Sequence, residues 1–138
     1  MKNKLRIVID TNVVVSAVLL PHSISRKAFD SALQKGQLLQ SEGTLAELNE
    51  VLSRPKFSKY IAEAKRLEFF DALVHEAEII PITQTITECR DIKDNQFLEL
   101  AIGGNASCII SGDNDLLVLN PFRGIAIMPP SVFLVMAD

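Results

Sequence analysis

The chain is poor in the residues that dominate several common kinds of functional site. It has no tryptophan, and only 6% of its 138 residues are aromatic, so we do not expect aromatic stacking to dominate any binding of nucleic-acid bases. The two cysteines, Cys89 and Cys108, lack the spacing of zinc ligands, and we interpret them as reduced thiols of a cytoplasmic protein. His22 and His75 lack evident partners for nucleophilic catalysis, and no phosphate-binding loop of the Gly-x-x-x-x-Gly-Lys type occurs.

Long apolar segments and a strong charge bias are also missing. No apolar run approaches the roughly 20 residues that span a bilayer, so we expect no membrane association. The first residues lead directly into an apolar run, and we expect no signal peptide. A net charge of −3 argues against a broad basic surface for nucleic acid, although a local basic patch or bound cations remain compatible with it. The length and composition predict a single globular domain over residues 1–138.

Short strand patterns alternate with helix patterns along the chain. The first run, Leu5 to Ile9, is too short for a helix and rich in β-branched residues, which is typical of a parallel strand buried on both faces. Helical spacing of apolar residues predicts helices or helical turns at 13–20, from Ser23 or Ser25 to a stop at Gly36, at 44–52, within 57–76, and at 94–102, 116–119 and 131–136. Further strands are predicted at 37–40, 78–82, 107–110 and 125–128. Pro81 places the 78–82 strand at a sheet edge. This alternation predicts an α/β fold, a three-layer α/β/α domain with a mainly parallel central sheet.

Four acidic residues lie where such a fold brings distant segments together. Asp10 directly follows the first strand and belongs at its carboxyl-terminal tip, because a charge buried inside the strand would be very costly. Glu47 lies in the first turn of the helix after the second strand, and Asp94 begins the helix before the fourth strand. Asp113 follows that fourth strand, with Asp115 two residues later. Since parallel strand tips point one way, we expect these carboxylates to share one rim of the sheet.

A group of carboxylates in one cleft is electrostatically unfavourable unless cations bind there. Each carboxylate raises the pKa of its neighbours. An oxygen-only ligand set without histidine or cysteine favours Mg²⁺ or Mn²⁺ over zinc. One such ion, or two about 4 Å apart, would orient a phosphodiester, activate a water molecule and stabilise the leaving oxygen. The sequence therefore predicts hydrolysis of a phosphodiester by a metal-activated water.

Five short segments, in this order along the chain, resemble the PIN domain family. They are Asp10-Thr11-Asn12, Thr44 to Leu48, Arg54-Pro55-Lys56-Phe57, Asp94-Asn95 with Phe97 to Ala101, and Ser111 to Leu117. The branch that the chain resembles is that of the VapC-like toxins of type II toxin–antitoxin pairs. The resemblance implies a Mg²⁺- or Mn²⁺-dependent endoribonuclease that cleaves RNA, forms a homodimer or higher homo-oligomer, and is inhibited by a small antitoxin protein.

The resemblance also implies roles for individual residues. By position, the catalytic and metal-binding acids are Asp10, Glu47, Asp94 and Asp113. Asp115 corresponds to a more variable fifth metal ligand. The polar groups that support these ligands or face phosphate are Thr11, Asn12 and Ser111. Asp91 is an alternative third acid, and we prefer Asp94 because it starts the helix where the acid of the family lies.

Each acid also has a purely structural interpretation. Asp10 and Asp94 are each able to cap the helix that follows. Thr44 to Glu47 fits a capping box, in which the Glu47 side chain would turn back onto the Thr44 backbone N–H. Asp113 is able to close an Asx turn. Only the coincidence of all of them at one rim favours the functional interpretation.

The basic residues near a predicted helix break have two interpretations as well. Arg54, Lys56 and Lys59 either contact RNA phosphates, which would position the strand without reading its sequence, or form a solvated face. The alternative function for the whole chain is a catalytically vestigial PIN-like module that binds RNA or protein.

Overall fold

A computed structural model describes residues 4–137 of the chain. The expectation about a signal peptide concerns Met1 to Asn3, which lie outside the described residues. The strands are β1 (Leu5–Ile9), β2 (Gly36–Gln40), β3 (Glu78–Ile79), β4 (Cys108–Ile110) and β5 (Ala126–Met128). They form a five-stranded sheet in the order β3-β2-β1-β4-β5, and each neighbouring pair is parallel. The predicted mainly parallel sheet is confirmed, with β1 at its centre.

Helices cover both faces of this sheet. They are α1 (Thr11–Leu19), α2 (Ile24–Lys35), α3 (Glu42–Leu52), α4 (Glu63–Glu76), α5 (Asn95–Gly103), α6 (Asn114–Leu117) and α7 (Pro130–Met136). Two 3₁₀ turns, Pro55–Lys59 and Ile92–Asp94, precede α4 and α5. None of the helices found within residues 4–137 has the length and apolar character needed to cross a membrane.

The core is divided by the sheet into two clusters. Ile7 and Ile9 of β1 face one way and pack with buried residues of α1, α2, α3, α4 and α7. Val8 of the same strand faces the other way and packs with buried residues of α5 and α6. Side chains along a strand alternate between faces, so a strand buried on both sides must be apolar throughout. This arrangement confirms the predicted α/β/α layers.

Several element boundaries differ from the prediction, most of them by one or two residues, and β3 ends at Ile79 rather than at residue 82. Helix α2 stops before Gly36 as predicted, and this glycine is extended, with φ of −151°, and begins β2. A Cβ atom there would lie 2.6 Å from the Leu5 carbonyl oxygen, so the glycine permits the close approach of β2 to β1. Helix α3 begins at Glu42, two residues before the predicted start, because Ser41 caps it. The predicted helical region 57–76 consists of the first 3₁₀ turn and α4.

A buried arginine, which the sequence pattern did not single out, connects α3 to α4. Arg66 in α4 has no exposed surface. Its guanidinium donates hydrogen bonds to the carbonyl oxygens of Leu52 at 2.6 Å and Ile61 at 2.5 Å. Longer contacts of 3.4 Å reach the Ser58 hydroxyl and the Arg54 carbonyl. Arg66 therefore satisfies backbone acceptors at the end of α3 and around the first 3₁₀ turn, which buried carbonyl groups require.

Candidate metal centre

The carboxyl-terminal tips of three neighbouring strands are tied together at one rim of the sheet. The Asp10 backbone N–H donates to the Ile110 carbonyl at 2.9 Å, and the Ser111 N–H donates to the Met128 carbonyl at 3.0 Å. Asp10 is buried, with 3% of its surface exposed. Its Oδ2 accepts a hydrogen bond of 2.7 Å from the Ser111 hydroxyl, and its Oδ1 accepts one of 3.2 Å from the Asn12 N–H. This network fixes the Asp10 carboxylate at the tip of β1, where the sequence placed it.

Acidic side chains from distant parts of the chain line one cavity at this rim, which we call the acidic cavity. Its acidic lining residues are Asp10, Glu47, Asp91, Asp94 and Asp113. The structure therefore brings together the four acids predicted to be catalytic. Asp115, predicted as a fifth ligand, does not line the acidic cavity, and its backbone N–H donates to Oδ1 of Asp113 at 2.9 Å. Asp91, which the sequence left as an alternative to Asp94, lines the cavity alongside it.

Three of these carboxylates are close enough to share one ion. Asp91, Asp94 and Asp113 each offer an oxygen, and these atoms all lie within 4.8 Å of one another. Oδ2 of Asp94 is buried and has no hydrogen-bond partner among the described residues. A buried carboxylate oxygen without a donor is costly. This oxygen and its acidic neighbours form a donor set that suits a hard divalent cation.

The structural interpretations of these acids hold for some of them only. Asp10 and Asp113 do cap the helices that follow, through the N–H groups of Asn12 and Asp115. Asp94 occupies the N-cap position of α5, but its side chain makes no capping hydrogen bond. Its carboxylate is therefore not explained by helix capping.

The capping box that was the alternative interpretation of Glu47 does not form in the structure. Ser41 and Thr44 form the box instead, because the Thr44 N–H donates to the Ser41 hydroxyl at 3.1 Å and the Ser41 N–H donates to the Thr44 hydroxyl at 2.8 Å. Since α3 starts at Glu42, Glu47 lies in its second turn rather than in its first. Glu47 is half-buried and lines the acidic cavity.

Burial and like charges shift the protonation of this site. The pKa of Asp94 is raised to about 8, mainly by burial and in addition by contact with the Asp113 carboxyl and by the charges of Asp10, Asp113 and Asp91. Burial also raises the pKa of Asp10, against the opposing effect of its hydrogen bonds from Ser111 and Asn12. Without a cation, the cluster therefore favours at least one protonated carboxyl at neutral pH.

We expect the metal-free protein to lose stability as the pH rises from about 4 to about 8. The folded state binds a proton at Asp94 that the unfolded state, with the ordinary pKa of 3.8, has already released. The free energy of unfolding therefore falls with rising pH throughout this window. Melting in EDTA should give a lower midpoint at pH 7.5 than at pH 5.5. An equal or higher midpoint at pH 7.5 would contradict the clustering of these acids.

The predicted supporting groups occupy different places around the acids. Ser111 is fully buried, and its hydroxyl lies between two of them, donating to Asp10 and accepting from the Asp113 N–H at 3.0 Å. Thr11 and Asn12 line the acidic cavity. Ser111 is thus placed to hold Asp10 and Asp113 at a fixed separation.

Of the three predicted RNA-contacting residues, only Arg54 lines the acidic cavity. Its guanidinium pairs with Glu50 at 2.8 Å and remains exposed. Lys56 and Lys59 are exposed outside it, each with its ammonium about 5 Å from an aromatic ring centroid, at 5.2 Å for Phe57 and 5.3 Å for Tyr60. Any contact of these two lysines with RNA would lie away from the acids.

Two further residues of the site were not identified from the sequence. Lys93 lines the acidic cavity beside the acids. Asn95 is buried, and its Oδ1 accepts a hydrogen bond of 2.8 Å from the Cys89 N–H, which attaches the loop before α5 to that helix. Both lie next to Asp94 in the sequence, and Asn95 belongs to one of the segments that resemble the PIN domain family.

The parallel sheet and the acids at its carboxyl-terminal rim define a class of α/β protein with a candidate metal site at the strand tips. A family model described as the PIN domain matches residues 6–115, and the chain belongs to the PIN domain family. It is 34% identical over 120 residues to the uncharacterized protein MJ1680 of Methanocaldococcus jannaschii, covering 86% of this chain and 77% of that protein.

Two solved structures share the fold at low sequence identity. The crystal structure of VapBC2 from Rickettsia felis bound to a DNA fragment from their promoter aligns with a TM-score of 0.60 at 14% identity, covering 89% of this chain and 97% of that one. PAE2754 from Pyrobaculum aerophilum aligns with a TM-score of 0.61 at 13% identity, covering 97% of this chain and 90% of that one. The predicted membership of the PIN domain family is confirmed, and the two solved structures confirm the fold. PIN domains are generally nucleases and typically bind divalent metals, which agrees with the acidic cavity.

Proposed function

We propose that the chain is a Mg²⁺- or Mn²⁺-dependent endoribonuclease and the toxin component of a type II toxin–antitoxin pair. The observation that carries the nuclease proposal is the buried Asp94 oxygen without a donor, inside a cavity lined by acids from four separate segments of the chain. A structural role in capping does not account for that oxygen. Membership of a family of nucleases supports the same conclusion.

The donor set fits Mg²⁺ or Mn²⁺ because it consists of oxygens alone. Asp94 and Asp113 would hold the ion with Asp91, while Asp10 and Glu47 complete the acidic wall. Asp115 remains the predicted variable ligand and would have to act from outside that wall. When bound, the cation would activate a water molecule and stabilise charge on the leaving oxygen.

The remaining residues of the site would position the RNA. Arg54 and Lys93 bring cationic side chains to the cavity wall, where they are placed to contact phosphate oxygens on either side of the cut bond. Ser111 would hold Asp10 through its hydroxyl. Lys56 and Lys59 lie further out and would contact the RNA backbone beyond the acids.

The toxin role is supported by the resemblance of the sequence to VapC-like proteins and by the fold that the chain shares with VapBC2 from Rickettsia felis. By that resemblance we propose a small antitoxin protein as the partner, a homodimer or higher homo-oligomer as the assembly, and the cytoplasm as the location. We also propose that residues 1–138 act as one nuclease domain.

Incubation of the purified chain with single-stranded RNA tests the activity. We expect internal cleavage in Mn²⁺ or Mg²⁺, and none after EDTA treatment until the ion is restored. If the RNA stays intact with Mn²⁺ and with Mg²⁺, the result would instead support the alternative function, a catalytically vestigial module. Co-expression with the product of a small neighbouring gene tests the toxin role separately.

Manganese binding is expected to stabilise the fold markedly. An ion that binds only the folded state adds about 2.7 kcal/mol at a hundred times its Kd. For a domain of this size that corresponds to a rise of roughly 8–12 °C in melting temperature. Titration of Mn²⁺ into the EDTA-treated chain, followed by thermal melting, measures the shift.

Two matched variants show which outer acid contributes to that shift. Asp91→Asn should reduce the Mn²⁺-induced rise because its oxygen lies within 4.8 Å of those of Asp94 and Asp113. Asp115→Asn should reduce it less, since Asp115 does not line the acidic cavity. The reverse order would favour Asp115 as the ligand, and no rise in the unmodified chain would contradict metal binding.

A further inference from the structure

A second cavity of about 360 Å³ adjoins the acidic cavity, and we call it the side cavity. The two share three wall residues, Asp10, Asn12 and Asp113. On its far side the wall is formed by Ser16 of α1 and Ser25 of α2. A group bound in the side cavity would therefore lie next to the carboxylates of Asp10 and Asp113.

The hydroxyls of the side cavity are unused by the fold. Within residues 4–137, the side chains of Ser16 and Ser25 make no hydrogen bond, although both residues are half-buried. The hydroxyls that support the acids behave differently, because Ser111 bonds to Asp10 and Ser41 bonds to the Thr44 N–H. Half-buried hydroxyls without partners, which face a cavity, are available to donate to and accept from a ligand.

The lining of the side cavity is neutral and partly apolar apart from the two acids it shares. Among the described residues no lysine, arginine or histidine lines it, so it offers no cationic side chain to a phosphate. Val13 and Pro130 supply apolar surface, and the position of Gly112 is open, since a Cβ there would meet no atom within 4 Å. Its volume lies in the range of ligand pockets.

We propose that the side cavity binds the nucleoside unit next to the cleaved phosphate, and that Ser16 and Ser25 determine which base is accepted there. The inference rests on the proposed ribonuclease function and adds the part of the site that selects the sequence. Unstacked bases of single-stranded RNA are recognised by hydrogen bonds to their edges and by packing against flat or apolar surfaces. The two hydroxyls and the amide of Asn12 would supply the hydrogen bonds to the base edge, and Val13 and Pro130 would supply the apolar surface.

Cleavage of a randomised single-stranded RNA pool tests this assignment. Sequencing of the product ends in Mn²⁺ should show that the unmodified chain prefers certain bases at a position adjoining the cut. Ser16→Ala and Ser25→Ala should each weaken that preference about 2- to 10-fold, as expected for one lost hydrogen bond. Ser31→Ala is the matched control, because Ser31 is also half-buried in α2 but lies outside the side cavity, and its preference should be unchanged.

A binding measurement keeps the test independent of catalysis. Ser25→Leu would place a larger apolar side chain at the wall of the side cavity and remove a hydroxyl, and it should weaken the binding of a fluorescent single-stranded oligoribonucleotide at least fivefold, whereas Ser31→Leu should not. Circular dichroism and melting of both leucine variants exclude a loss of fold.

The outcomes separate the two proposals. Cleavage with the same end sequences in the unmodified chain and in both alanine variants would overturn the assignment of the side cavity while leaving the nuclease function intact. Absence of cleavage by the unmodified chain would overturn the proposed function, and the leucine variants would then decide the binding site. Equal RNA affinity of Ser25→Leu and Ser31→Leu would overturn the side-cavity assignment in either case.

Discussion

Asp94→Asn is expected to abolish RNA cleavage and, at the same time, to stabilise the metal-free protein at neutral pH. The first effect follows because Asn replaces a charged ligand by a neutral one at the residue whose buried oxygen has no donor among the described residues. We expect the cleavage rate to fall at least about a hundredfold, as when one group that stabilises a transition-state charge is removed. The second effect follows because Asn removes the carboxyl whose pKa is raised to about 8.

The two effects are measured on one pair of proteins. Rates of RNA cleavage in Mn²⁺ give the first, and melting midpoints in EDTA at pH 5.5 and pH 7.5 give the second. The midpoint of Asp94→Asn should change less between these two pH values than that of the unmodified chain. Asp71→Asn is the control, since Asp71 is an exposed acid in α4, and it should alter neither result. Full activity of Asp94→Asn would remove the main support for the nuclease assignment.

Arg66→Met is expected to be strongly destabilising. Methionine keeps an unbranched apolar side chain but has no donors, so the Leu52 and Ile61 carbonyls would lose their short hydrogen bonds inside the protein. An unsatisfied buried acceptor costs about 1–3 kcal/mol. With partial relief from removing a buried charge, we expect a loss of about 3 kcal/mol, or a midpoint lowered by roughly 10 °C.

Lys65→Met, at the adjacent position of α4, provides the comparison. Lys65 is exposed and makes only a weak contact of 3.9 Å with Glu68, so this variant should melt within about 2 °C of the unmodified chain. Melting in EDTA compares the two variants without any contribution from metal binding. If Arg66→Met were as stable as Lys65→Met, the hydrogen bonds of Arg66 would not be what holds the end of α3.

Much of the fold was predictable because burial on both faces leaves a clear sequence signal. Leu5 to Ile9 contains no polar residue except Arg6, which lies near the start of the strand and whose guanidinium pairs with Glu78 at 3.0 Å. The start of α3 was less predictable, since Ser41 and Thr44 are both good capping residues. Only the hydrogen bonds of the structure show that Ser41 is the N-cap and that Thr44 is its partner in the capping box.

The position of the acids was predictable because the tips of parallel strands meet at one rim of the sheet. The other residues around this rim were not predictable. Asp91 and Asp94 both fit the pattern, and only the second 3₁₀ turn, which folds the chain between them, brings both into one cavity. Arg66 resembles any solvated helix residue in the sequence, because Lys65 and Glu68 around it are exposed. Ser16 and Ser25 belong to separate helices, and nothing in the sequence indicates that they face one space.

The hydrogen bond between Ser111 and Asp10 joins residues that are 101 positions apart in the chain. The two residues follow the neighbouring strands β4 and β1. During synthesis, the acidic cavity therefore cannot assemble until β4 and Asp113 have left the ribosome. Fragments that stop earlier, through a premature stop codon or proteolysis, retain Asp10 and Glu47 but lack the opposite wall. Incomplete products of this gene are accordingly expected to bind no divalent cation at this rim.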